Sequence, residues 1–94
     1  MTMSRDAAEK TALDCLTWLA GNDDLLPVFM GATGLSTDDL RDAATAPEFL
    51  GAVLDFVMMD DAWVIAFCDS RGLAYEVPMQ ARAALPGGEQ VHWT

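Results

Sequence analysis

The stretch Asp60-Asp61-Ala62-Trp63-Val64-Ile65-Ala66-Phe67-Cys68-Asp69-Ser70-Arg71-Gly72 decides the fold class. Its middle, Ala62 to Cys68, is seven apolar residues in a row, and periodicity alone does not separate a buried strand from a buried helix in such a run. The flanks do. The paired aspartates can accept the unpaired N–H groups of a first helical turn. Gly72 supplies a left-handed stop, and Asp69, Ser70 and Arg71 extend the run to helical length. The stretch reads as a helix that is apolar on every face.

Outward from it, the same punctuation recurs. Upstream, Pro47 is placed as the first residue of a helix predicted over 47–59, where its missing N–H costs nothing. Phe49, Leu50, Val53, Leu54 and Val57 form its wide core-facing stripe. Ser36-Thr37-Asp38-Asp39 opens a short helix ending near Ala44, with Asp39 standing where a capping box usually has Glu or Gln. Asn22-Asp23-Asp24 begins another short helix. With Asp24 as its cap, Pro27 falls at the third helical position, and the helix stops near Gly34. Ser4 caps a first helix over 5–20, whose Ala8, Ala12, Cys15, Leu16 and Leu19 share one face and which Gly21 ends in a left-handed turn.

Downstream, a last helix spans Glu76 to Leu85 with Pro78 in its first turn, and Pro86-Gly87-Gly88 ends it. The fold predicted is all-α: a compact bundle of about five to six short helices. It forms a single domain over 1–88, followed by a loose tail over 89–94. Three Asp-Asp pairs, 23–24, 38–39 and 60–61, all stand at predicted helix starts. There a carboxylate meets both orphan N–H groups and the positive end of the helix dipole. Their reading is structural.

Composition narrows the function. The 94 residues carry 5 basic and 15 acidic side chains, a net charge of −10. Nucleic-acid affinity comes mainly from Lys and Arg on phosphates. Here Arg5, Lys10, Arg41, Arg71 and Arg82 are scattered singly, which argues against DNA, RNA and anionic lipid. The acidity keeps a surface solvated, or steers a basic partner. The opening residues run into a charged helical pattern rather than an apolar signal core. No apolar run approaches the roughly 20 residues that span a bilayer. Cys15 and Cys68 make no CxxC motif and sit in apolar stretches, as free thiols in a reducing cytoplasm do.

Several segments together resemble a known family. They are Thr33-Gly34-Leu35-Ser36-Thr37-Asp38-Asp39-Leu40-Arg41, Pro47-Glu48-Phe49-Leu50, Val53-Leu54-Asp55-Phe56, Ala66-Phe67-Cys68 and Ala81-Arg82-Ala83-Ala84-Leu85-Pro86-Gly87. The family consists of short alphaproteobacterial proteins and is known as a domain of unknown function. The similarity covers about residues 4–88. It implies a shared all-helical fold and a bacterial, cytoplasmic setting. The matching motifs are caps and core positions, so the resemblance brings no catalytic or binding residue with it.

The candidate chemistries are thin. Met30 to Ser36 resembles the corner of a helix-turn-helix, yet the helix that would enter DNA carries Asp38, Asp39 and Asp42, which repel phosphate. Gly31-Ala32-Thr33-Gly34 lacks the lysine and the strand of a phosphate loop. The sole histidine, His92, lies in the expected tail, so a triad, a His-based zinc site, or a Cys15 or Cys68 nucleophile has no rigid base. Asp55, Asp60 and Asp61 are hard oxygen ligands close in sequence, although their spacing matches no EF-hand. No cofactor is expected.

The surplus of apolar side chains says more. Phe56, Met58, Met59, Trp63 and Ile65 add to the core stripes of the helices at 47–59 and 61–71. Either these two helices form a central hairpin sheathed by the others, or Phe56, Met58, Met59 and Trp63 form a patch that marks a homodimer or partner-protein contact. The leading expectation is a non-enzymatic interaction or adaptor domain, with self-association as one form of it. The competing one is a small metal- or ligand-binding protein or enzyme that uses Asp55, Asp60, Asp61 and a cysteine.

Overall fold

A computed structural model describes residues 3–43 and 46–85. The expectations for the tail over 89–94, and for His92 within it, lie outside those residues. Six helices and no strand are present among the described residues: α1 (Arg5–Ala20), α2 (Leu26–Thr33), α3 (Thr37–Ala43), α4 (Pro47–Val57), α5 (Asp61–Arg71) and α6 (Val77–Ala84). The fold is all-α. The radius of gyration, 12.5 Å, is close to the roughly 13 Å of a compact chain of this size.

Most of the caps form as the sequence dictates. Ser4 Oγ accepts the Ala7 N–H at 3.1 Å and starts α1. At α3 the exchange is reciprocal: Asp39 N–H donates to Ser36 Oγ at 3.3 Å, and Ser36 N–H donates to Asp39 Oδ2 at 3.1 Å. The shorter aspartate thus completes a capping box. Asp60 sits in extended backbone, and its Oδ1 accepts the Ala62 N–H at 2.8 Å to open α5. Gly34 and Gly72 close α2 and α5 at φ 74° and 67°, a region that side chains with a Cβ rarely adopt. Because the Asp60 carboxylate satisfies a donor that would otherwise be unpaired, Asp60→Ala is expected to lower unfolding free energy by about 1 kcal/mol in a denaturant titration.

Three boundaries differ from expectation. Gly21 is not left-handed: its φ is −90°, and its N–H still reaches Thr17 O at 3.1 Å. The chain passes straight from α1 into a new turn, so no reversal of hand is required. Asp24 is not the cap of α2. No side chain caps α2 itself; Asn22 caps the turn that leads into it, its Oδ1 accepting from Asp24 N–H at 3.0 Å and Leu25 N–H at 3.1 Å. Asp23 and Asp24 therefore lie just behind a cap rather than acting as one, and Pro27 falls at the second position of α2. Finally, α4 stops at Val57 instead of reaching 59. Met59 N–H and Asp60 N–H turn back to Phe56 O and Val57 O, tightening the chain so that Asp60 can extend and cap α5.

Packing centres on α1. Its Ala8, Ala12, Cys15, Leu16 and Leu19 are buried, and α1 packs chiefly against α6 and α4, which also touch each other. The α4–α5 pairing is looser, so those two helices do not form the central hairpin. Small residues explain the difference. Ala8 and Ala12 on α1, and Ala81 on α6, let backbones approach closely. Arg82 of α6 crosses α4 at Gly51, where a Cβ would stand 2.8 Å from Nη1, and its Nε donates to Asp55 Oδ1 at 2.7 Å. A chain of rings fastens the remaining helices. Phe29 of α2 meets Phe49 and Phe56 of α4 at 6.0 and 5.1 Å, Phe56 stacks on Trp63 of α5 at 5.0 Å, and Trp18 of α1 meets Phe67 at 5.7 Å.

Candidate interaction surface

The four residues singled out at the α4–α5 corner differ in depth. Phe56 is buried at 7% exposure between Phe29 and Trp63. Met58 and Trp63 are half-buried against the core, and Met59, in the turn between the helices, is 77% exposed. The corner is thus anchored from below by a stacked pair and topped by one free-standing methionine.

Beyond the corner lies a surface that sequence reading did not isolate. The run over residues 62–68 in α5 is apolar throughout, yet only Phe67 and Cys68 are buried. Its positions 62, 65 and 66 share one helical face, and Ala62, Ile65 and Ala66 are all exposed, Ile65 at 43%. The signal was present in the run itself. A helix that is apolar on all sides is ordinarily enclosed, whereas this one is covered from one side. The ends of its outer face are acidic, with Asp60 and Asp61 at the N-terminus and Asp69 near the C-terminus, where Asp69 Oδ1 accepts the Tyr75 hydroxyl at 2.8 Å. That bond and the nearby carboxylate push the Tyr75 phenol above its ordinary pKa.

The groups weighed for chemistry are engaged elsewhere. Asp55 receives Arg82, and Asp60 receives its own helix. No group of three or more His, Cys, Asp or Glu able to hold a metal is found among the described residues. Cys15 and Cys68 are both free and buried. Burial pushes the Cys15 thiol up to about 12, and burial also raises Cys68, whose Sγ donates to Ala74 O at 3.5 Å. A nucleophilic cysteine needs the opposite shift.

One shallow cleft opens where α1 ends, lined by Thr17, Trp18, Gly21, Asn22, Asp23 and Arg71. Three of its side chains are engaged within the fold. Arg71 Nε donates to Asp14 Oδ1 at 2.9 Å, Asn22 Oδ1 caps the next turn, and Thr17 Oγ1 donates to Leu13 O. The cleft is open and shallow, so the α4–α5 corner with the outer face of α5 is the better candidate. No described helix is long and apolar enough to cross a membrane.

No curated protein and no solved structure matches the chain. Over residues 5–88 it matches the model of a family described as a protein of unknown function, DUF3572. That span takes in all six helices and the α4–α5 corner, and the chain belongs to the DUF3572 family.

Proposed function

We propose that this domain acts by surface contact, as a non-enzymatic protein-interaction or adaptor module, and that Met59 and the outer face of α5 form the contact. One observation carries the reading: the apolar run over residues 62–68 of α5 is covered by the fold from one side only. Exposed apolar area of this kind is costly in an unbound protein and is kept where a partner covers it. The half-buried Trp63 and Met58 beside Met59 are residue types favoured at protein contacts. Two buried, unpaired cysteines fit a reducing cytoplasm as the place of action.

The test is site-specific photo-crosslinking in the native host. A photoreactive residue at Met59 is expected to give one discrete adduct, and the same residue at Lys10, on α1, is expected to give none. Equal background from both positions would contradict the reading.

A further inference from the structure

The charge around this surface specifies what covers it. From Asp42 to Ser70 the sequence contains Asp42, Glu48, Asp55, Asp60, Asp61 and Asp69 but no Lys or Arg. This segment holds α4 and all of α5 but its last residue, Arg71, which is paired with Asp14 of α1 at 2.9 Å. The one cation of α5 is thus drawn toward α1, and the apolar outer face of the helix is closed at one end by Asp60 and Asp61 and at the other by Asp69. We infer that its partner is a basic amphipathic helix, with apolar side chains at helical spacing laid along Met59, Ala62, Ile65 and Ala66 and with Lys or Arg at its flanks.

Three arguments converge on that partner, and all rest on the contact reading above. A second copy of this chain would bring acidic ends against acidic ends on a molecule already at −10, and like charges at short range repel. A basic helix turns the same arrangement into attraction at both ends. The relief of the face also suits a helix. Ala62 and Ala66 flank the taller Ile65 at i, i+3, i+4 spacing, so a ridge of side chains from a partner helix can pass beside Ile65 at close approach. With eleven residues, α5 presents a face only about 16 Å long, which suits a transient contact.

Fluorescence anisotropy on the full chain tests this with a labelled synthetic peptide of leucine and lysine, leucines at helical spacing, beside a scrambled peptide of the same composition. The helical peptide is expected to bind about tenfold tighter than the scrambled one. Ile65→Asp is the decisive variant, because it adds negative charge while removing apolar surface. Generic attraction to a cationic peptide would rise, whereas docking on this face falls by about tenfold. Leu13→Asp, an equally exposed apolar site on α1, is expected to leave binding unchanged. Met59→Glu serves as a second variant, read in the same way, should Ile65→Asp lose its helical circular dichroism. Equal binding of the two peptides, or undiminished binding by the folded variants, overturns the inference. If light scattering instead shows a dimer that Ile65→Asp dissolves, with no preference between peptides, a basic partner is overturned and the contact reading stands. Failure of the crosslink at Met59 overturns both.

Discussion

Phe29→Ala is expected to lower the unfolding free energy by about 3–5 kcal/mol, the range for deleting a fully enclosed ring. Phe29 is fully buried and is the buried anchor of α2. Its ring meets Phe49 and Phe56 edge-on, so its removal leaves a void between α2 and α4 and strips two aromatic contacts at once. An eight-residue helix has little stability of its own. Without the ring, α2 separates from the body, and the denaturant slope falls along with the midpoint, because the starting state already exposes part of its surface. A domain of this kind has about 5–15 kcal/mol in total, so the loss is large. Urea unfolding followed by circular dichroism reads both quantities. A cost below about 1 kcal/mol would mean that the ring is not enclosed.

Leu54→Ala is the second large effect, about 2–5 kcal/mol. Leu54 is fully buried in the middle of α4, the helix that packs against α1, α6 and α5 together. The surrounding helices are held by several other contacts and cannot collapse fully into the space. Here the denaturant slope is expected to stay constant while the midpoint drops, since no element is detached. A neutral Leu54→Ala would mean that the buried face of α4 has been assigned to the wrong side.

What the sequence made legible was local. Ser4, the Ser36–Asp39 exchange, Asp60, Gly34 and Gly72 each act within one turn of the chain, so their roles could be read without knowing any neighbour. At Asn22-Asp23-Asp24 three consecutive side chains can all cap. It is Asn22 that accepts, a choice the local pattern does not make. The surplus of apolar side chains suggested α4 and α5 as the centre, whereas alanines on α1 and α6 allow closer packing there. The passage of Arg82 over Gly51 joins residues far apart in the chain and left no local signal. The candidate surface was half legible. Composition flagged Met59 and Trp63, but which side of α5 stays uncovered depends on where α1 and α4 lie.

That uncovered side is the claim on which the function rests, and hydroxyl-radical footprinting of the purified protein measures it directly. Met59 is expected to be labelled nearly as fast as in the unfolded chain and Ile65 at about half that rate, while Phe67, on the enclosed side of α5, is protected. Ile65 protected as well as Phe67 would contradict the account, because α5 would then be enclosed by its own fold and would have no face to offer a partner.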